Sequence, residues 1–193
     1  MSTAARIQQV ALEHFAVHGY SGASLSQIAE DVGIKKPSIY AHFKGKEDLF
    51  LHVLDEVLHE EYQALIQYMH DHSHITLEER LHGVLDYQLH RYEQSEAAKF
   101  LLRVSFIPPK SLCDQVSEKV YAHIDQWEQA LVRTLQASCD QGELRGIGAA
   151  HAASAFLCLS DGLQIELLYS GKERYQRRLN ASWMVFWRGI SSA

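Results

Sequence analysis

The fold is decided by residues 24–46, which read SLSQIAEDVGIKKPSIYAHFKGK. Ser24 and Gln27 have the spacing of a capping box, in which the serine hydroxyl accepts a backbone N–H and the glutamine side chain returns to the serine N–H. Such a box opens a helix, and we expect a short one that ends near Val32. Gly33 comes directly after it and permits the backbone to reverse.

A second short helix is expected after this turn. Pro37 suits its first turn, because proline has no N–H to leave unsatisfied there. Ile39 and Phe43 are four residues apart, so they share one face and should point into a small core. Two short helices joined by a tight turn form a helix-turn-helix, here over residues 24–43, whose second helix enters the major groove of DNA.

The remaining side chains at the start and sides of the second helix should then be exposed. Lysine can donate to guanine or phosphate, serine to either, and tyrosine and histidine to phosphate, while proline and alanine can contact a thymine methyl. A lysine at the start of the following helix and the hydroxyl that caps the preceding one can also bind phosphate. The expected DNA-binding residues are Ser24, Lys35, Lys36, Pro37, Ser38, Tyr40, Ala41, His42 and Lys46.

The charge of the chain is unevenly distributed. The sequence has 18 Lys and Arg against 24 Asp and Glu, a net charge of −6, which excludes a basic coat over the whole protein. Residues 1–50 hold 5 basic and 5 acidic side chains, whereas residues 33–46 hold four lysines and no acid. That local density can serve phosphates, and a solvated loop between helices is the alternative interpretation.

The composition indicates a soluble domain with its own core. The chain has 193 residues, of which 47% are hydrophobic, and this is enough to fill a substantial interior. The three cysteines are odd in number and far apart, so neither a disulfide framework nor a zinc ribbon is expected. Neither a secretory signal nor a membrane span is recognisable, and we expect a cytoplasmic protein without membrane association.

The periodicity of apolar residues predicts an all-α fold. Apolar side chains recur at spacings of three and four rather than two, and proline occurs only at positions 37, 108 and 109. Counting the periodic stretches between their start and stop signals gives about nine helices.

Several residues of the first fifty form a combined pattern with the helix-turn-helix. They are Ala11-Leu12, Phe15, Gly19-Tyr20, Ser24-Leu25, Ile28-Ala29, Gly33-Ile34 and above all the run Ser38-Ile39-Tyr40-Ala41-His42-Phe43-Lys44-Gly45-Lys46-Glu47-Asp48-Leu49. In this combination the N-terminal segment resembles the TetR-type one-component transcriptional regulators.

The resemblance implies an organisation and a mode of action. It implies an N-terminal three-helix DNA-binding domain, placed at residues 1–46, and a helical domain for ligand binding and dimerisation at residues 47–193. It also implies repression that a small-molecule ligand relieves. The sequence departs from the family's frequent residues at Lys35 and Ala41. The resemblance therefore implies no particular operator sequence.

The last two helices are expected to form a dimer interface. They have broad apolar faces near the chain end, where a single chain has little left to cover them, although a role in its own core is the alternative. The resemblance implies that these helices pair across a two-fold axis, so that two recognition helices about 34 Å apart read a palindromic operator. The expected interface residues are Phe156, Leu163, Leu167, Leu179, Trp183, Phe186 and Trp187.

A ligand pocket is expected on the helices that line it in proteins which this chain resembles. Arg103 lies on an otherwise apolar helix and could meet an anionic ligand, unless it is an ordinary exposed arginine. Four aromatic residues on these helices are candidate lining residues, with ordinary core packing as the alternative. The candidates are Phe100, Phe106, Trp127 and Phe156, together with Arg103.

Other kinds of site receive little support from the sequence. His14 and His18, or His70, His72 and His74, could be metal ligands, but neither set has a convincing further ligand. We also find no nucleophile motif and no phosphate-binding glycine loop, so we expect no cofactor and no enzyme activity. The sequence thus favours a homodimeric repressor that a ligand releases from DNA. The alternative is a helical ligand-binding or protein-interaction module without specific DNA binding.

Overall fold

The computed structural model describes residues 2–144 and 146–191, and this part of the chain confirms the predicted all-α fold. Its nine α-helices are α1 (Thr3–Gly22), α2 (Leu25–Val32), α3 (Lys36–Ile39), α4 (Lys46–Asp71), α5 (Leu77–Gln94), α6 (Glu96–Phe106), α7 (Cys113–Asp140), α8 (Ala149–Tyr169) and α9 (Lys172–Ile190). A short 3-10 turn at Lys110–Leu112 precedes α7. Among the described helices, we find none that has both the length and the apolar character to cross a membrane.

The chain divides into two compact units. The first contains the residues up to Glu61 together with Tyr92–Val120, and the second contains Tyr62–Arg91 with the residues from Tyr121 onward. The predicted boundary at residue 46 concerns function rather than packing, and it stays a prediction.

The core of the first unit is built around a cluster of aromatic rings. Phe50 of α4 meets three of them edge-on, with centroids 5.0 Å from Phe15, 5.1 Å from Tyr20 and 5.5 Å from Phe100. Edge-to-face contacts at these distances are favourable beyond the burial of apolar surface. The cluster therefore links α1, α4 and α6 through one central side chain.

The end of α1 depends on a glycine. Gly19 has φ 68° and ψ 175°, a combination that side-chain-bearing residues rarely adopt. The regular helix is interrupted there, and the chain makes one more turn before Ala23, whose N–H donates to the Gly19 carbonyl at 3.1 Å. This turn delivers the backbone to Ser24 at the start of α2.

The turn between α2 and α3 is also set by the backbone. Gly33 is left-handed, with φ 78° and ψ 31°, and its N–H donates to the carbonyls of Ala29 and Glu30. The regular part of α3 ends at Ile39 rather than continuing to Phe43. The N–H groups of His42 and Phe43 still donate to the Ile39 carbonyl, both at 2.9 Å, so a tight turn replaces the last helical residues.

In the second unit, α8 and α9 form a helical hairpin. The buried Tyr175 phenol donates to the Leu85 carbonyl at 2.7 Å, which connects α9 to α5. Near the turn, the Glu166 carboxylate is buried and forms two ion pairs, with Arg174 at 2.7 Å and with Arg178 at 2.6 Å. Because a buried carboxylate is costly when unpaired, these arginines are what makes Glu166 tolerable in that position.

Candidate nucleic-acid interface

The α3 segment separates apolar from polar side chains. Ile39 is 0% exposed and Phe43 is 4% exposed, which confirms the predicted inward face. Tyr40, between them in sequence, is 53% exposed. The structure brings seven of the nine predicted DNA-binding residues together on the exposed side of this segment: Lys35, Lys36, Pro37, Ser38, Tyr40, Ala41 and His42.

Ser24 is half-buried and acts as the N-cap of α2. Its Oγ accepts the N–H of Ser26 at 3.3 Å rather than that of Gln27. The bonded N–H is thus two residues after the serine, and not three as in a capping box. The hydroxyl hydrogen remains available as a donor. Its contact with a phosphate stays a prediction.

Lys46 has a structural role that the sequence did not indicate. Its ammonium donates to the Ala23 carbonyl at 3.0 Å and the Ser21 carbonyl at 3.4 Å, and lies 4.6 Å from the centre of the Tyr20 ring. It thereby ties the end of α1 to the start of α4. A lysine ammonium has three donors, so a DNA contact through the third stays a prediction.

Sequence reasoning missed two carboxylates that hold this region in shape. Asp31 of α2 is 2.6 Å from the ring of His14 on α1. Asp48 accepts the backbone N–H of Lys44 at 2.7 Å, just before α4 begins. Because Asp48 lies in the first turn of α4, its bond to a backbone N–H has a recognisable local signal. No local pattern indicates the contact between Asp31 and His14. Both bonds give an acidic group a partner close to the lysine-rich segment.

The predicted ligand residues do not form one pocket. Phe100 and Arg103 line a cleft of about 230 Å³ in the first unit. Phe106 is half-buried beside them in sequence and does not line it. Trp127 and Phe156 are buried core residues of the second unit. The five candidates are thus distributed between a cleft, a half-buried position and the core of the second unit, because a helical spacing alone does not distinguish a pocket wall from packed interior.

Most of the predicted dimer residues are buried within the single chain. Phe186 and Trp187 are half-buried, but the other five are buried within the single chain, so they are core residues rather than a free face. The aromatic residues cover one another, as shown by the centroid distances of 5.5 Å from Trp183 to Phe186 and 5.9 Å from Trp183 to Trp187. The five buried residues are Phe156, Leu163, Leu167, Leu179 and Trp183.

The histidine pairs are engaged in other contacts. The rings of His14 and His18 have centroids 5.8 Å apart, and His14 also contacts Asp31. His72 stacks on Tyr68 with a centroid distance of 4.1 Å. Among residues 2–144 and 146–191, no group of three or more His, Cys, Asp or Glu side chains could hold a metal ion.

The N-terminal segment matches known regulators in sequence. Residues 7–53 match the family model described as bacterial regulatory proteins, tetR family. The HTH-type transcriptional repressor ComR of Escherichia coli (strain K12) is 44% identical over 48 residues, a match that covers 25% of this chain and 23% of ComR. The chain thus matches about a quarter of this relative's length.

Solved structures extend the likeness to the whole fold. A TetR transcriptional regulator from Chloroflexus aurantiacus J-10-FL superposes with a TM-score of 0.80 at 21% identity, over 99% of this chain and 97% of that one. The regulator FadR from Bacillus subtilis, in complex with stearoyl-CoA, gives a TM-score of 0.74 at 19% identity, over 96% of this chain and 98% of that one. The N-terminal segment thus matches the tetR family of bacterial regulatory proteins in sequence, and the whole chain shares the fold of these solved regulators.

Proposed function

We propose that the chain is a homodimeric transcriptional repressor that occupies a palindromic operator in the cytoplasm and releases it when a small molecule binds. Residues 1–46 act as the DNA-binding domain, and residues 47–193 as the ligand-binding and dimerisation domain. The observation that carries this proposal is the surface of α3, where polar and basic side chains are exposed around a buried Ile39 and Phe43.

The charges of this surface suit a nucleic acid. Lys35 and Lys36 are exposed at the N-terminal end of α3, and residues 33–46 contain no acid. Residues 1–50 as a whole carry no net charge, so the net charge of −6 belongs to residues 51–193. Acidic surfaces repel the phosphate backbone, so they help to restrict contact with DNA to the two small basic regions of a dimer.

An exposed apolar face on α8 and α9 supports the dimer. Ile165 is 39% and Tyr169 is 70% exposed on α8, while Met184 is 50% and Val185 is 71% exposed on α9. Cys158 of α8 is also exposed. It precedes the turn between α8 and α9 by about as many residues as Val185 follows it, so the two residues lie at a similar level of the hairpin. We propose that this face, rather than the buried aromatic cluster, pairs with a second copy. The pairing would give each operator half-site its own recognition helix.

The ligand is proposed by analogy. FadR from Bacillus subtilis was solved in complex with stearoyl-CoA, which supports a small-molecule effector for a chain of the same fold. The low identity of 19% transfers the architecture and not the ligand's chemistry.

The proposed DNA binding can be tested with sites that the protein itself selects. Sites are first selected from random double-stranded DNA with the full chain, and the affinity for the selected site is then measured by fluorescence anisotropy over a range of salt concentrations. Lys36→Ala should weaken binding by roughly 1–3 kcal/mol if the lysine reads a base, or reduce the salt slope by about one if it contacts a phosphate. Tyr40→Phe should weaken binding through the loss of a phosphate donor.

Arg133→Ala is the matched control, because Arg133 is an exposed cation of the second unit. It should leave operator affinity nearly unchanged. Failure to select any sequence would favour the alternative of a helical ligand-binding or protein-interaction module. Equal affinities of Lys36→Ala, Tyr40→Phe and wild type for a selected site would show that the surface of α3 does not contact DNA.

A further inference from the structure

The cleft in the first unit has an apolar floor and a cationic rim. The rings of Phe15, Phe50 and Phe100 are almost fully buried and form the floor, together with the partly exposed ring of Tyr20. At roughly 30 Å³ per water molecule, its volume of about 230 Å³ is that of about seven or eight water molecules. This is enough for a molecule of one small ring with a substituent. Its remaining lining residues are His18, Gly19, Ser21, Arg103, Val104, Ile107, Pro108 and Pro109.

Arg103 is the charged group of this cleft. It is exposed, and among residues 2–144 and 146–191 its side chain has no ion pair or hydrogen bond. Its guanidinium lies against Gly19, since a Cβ at that position would be 3.7 Å from Nη2. An arginine fork next to an apolar floor is suited to a planar anion, because guanidinium and carboxylate can form two parallel hydrogen bonds.

None of the residues that line the cleft is acidic, and the nearby Glu47 carboxylate does not line it. Burial, and then the Glu47 carboxylate, raise the pKa of Tyr20, so its phenol is uncharged at neutral pH. Ser21 and His18 are exposed on the same rim and can donate hydrogen bonds. The Lys46 ammonium over the Tyr20 ring adds positive charge nearby.

We propose that this cleft binds a small aromatic monocarboxylate. The carboxylate forms a bidentate pair with the Arg103 guanidinium, and the ring packs against the side chains of Phe50, Phe100 and Tyr20. The apolar floor favours the ring over water, and the arginine distinguishes the anion from a neutral analogue of the same shape.

The position of the cleft links it to the DNA-binding segment. Gly19, Tyr20 and Ser21 line it, and Lys46 holds the Ser21 and Ala23 carbonyls directly before the cap of α2. A ligand that prefers one arrangement of this segment shifts the orientation of α2 and α3, and hence the affinity for an operator. This regulatory consequence rests on the proposed function, whereas binding in the cleft does not.

Binding is tested with benzoate and the intact chain in the absence of DNA. Chemical shifts of isoleucine δ1 methyl groups are followed by NMR during the titration, because Ile107 lines the cleft and Ile165 lies on α8 of the second unit. We expect a saturable shift of Ile107, with a dissociation constant no weaker than about 1 mM, and no shift of Ile165. Benzamide, the neutral analogue, should bind at least tenfold more weakly.

Three variants separate a binding role of Arg103 from a merely structural one. Arg103→Gln should weaken benzoate binding at least tenfold. Arg103→Lys keeps the charge near the end of α1 but loses the planar fork, so it should recover only part of the affinity. Arg133→Gln removes an exposed arginine of the second unit and should change nothing. Thermal unfolding followed by circular dichroism checks that each variant is folded.

The outcomes distinguish this inference from the proposed function. Absence of a saturable Ile107 shift, equal binding of benzamide, or unchanged binding by Arg103→Gln would overturn the cleft assignment even if the chain binds an operator. Conversely, benzoate binding that depends on Arg103 supports the site even if no operator is found. With an operator in hand, saturating benzoate should change its affinity at least threefold in the wild type and not in Arg103→Gln, and no change would overturn the regulatory link.

Discussion

The α8–α9 hairpin exposes large aliphatic side chains, whereas the exposed residues of the helix-turn-helix are mainly polar. Around α3 the exposed residues include lysines, serine, tyrosine and histidine, whereas Ile39 and Phe43 are buried. On α8 and α9 the exposed set includes Ile165, Tyr169, Met184 and Val185. The first region is shaped by the backbone, through a helix cap and two glycines with positive φ, whereas the second is shaped by packing. A short motif can therefore be recognised from local sequence, whereas the exposure of an apolar helix face depends on which residues the rest of the chain covers.

The largest expected effect concerns the apolar face of the hairpin. Val185→Asp should weaken self-association at least 100-fold, about 2.7 kcal/mol, because a dimer would have to bury an unpaired carboxylate. Sedimentation equilibrium measures the change. Val17→Asp is the matched control, since Val17 is 66% exposed on α1. Equal association of the two variants would show that the exposed face of α9 is not the dimer interface.

The next effect concerns the backbone device at the end of α1. Gly19→Ala should lower the free energy of unfolding by roughly 1–3 kcal/mol, because φ 68° with ψ 175° is strained for any other residue. Urea denaturation provides the measurement. Gly45→Ala serves as the control, since a Cβ there meets nothing within 4 Å and its φ is not positive. A neutral Gly19→Ala would mean that the α1 end can rearrange without cost.

A smaller effect is expected from a buried hydrogen bond of the hairpin. Tyr175→Phe removes the donor to the Leu85 carbonyl and should cost about 1–2 kcal/mol in unfolding free energy. Tyr169→Phe is the control, because Tyr169 is 70% exposed. Similar stabilities of the two variants would show that this hydrogen bond does not help to hold α9 against α5.

Tyr175 also makes the difference in stability between the wild type and Tyr175→Phe depend on pH. Burial, and then the Asp86 carboxylate, raise the pKa of Tyr175 above its ordinary value of 10.0. The unfolded chain therefore loses this phenolic proton first as the pH rises, and the contribution of Tyr175 to stability is lost above about pH 10. The wild type should be more stable than Tyr175→Phe below that pH and lose its advantage above it, which urea denaturation at several pH values would detect.

The smallest effect concerns the cap of α2. Ser24→Ala should destabilise the protein by about 0.5–1 kcal/mol, since the Ser26 N–H loses its side-chain acceptor. Ser26→Ala retains that N–H and should be nearly neutral. If Ser24→Ala is also neutral in urea denaturation while operator affinity falls, the hydroxyl serves DNA rather than the helix.

Much of the exposed surface around α3 could be predicted from the sequence. The turn at Gly33, Pro37 near the start of α3 and the spacing of Ile39 and Phe43 are local signals, and they are sufficient to decide which side chains are inside. The role of Lys46 was not accessible in this way. Its carbonyl partners lie 23 and 25 residues earlier in the chain, and no local pattern encodes such a contact.

The all-α class, the helix-turn-helix and the identity of its exposed residues follow from the amino-acid sequence, because capping, glycine conformation and apolar periodicity act over a few residues. Tertiary packing was needed to show which apolar residues of α8 and α9 are core and which are surface, and to show that Arg103 borders a cleft with Phe100 while Trp127 and Phe156 do not. Burial depends on residues distant in sequence, and hydrophobic attraction has no direction that a local pattern could record.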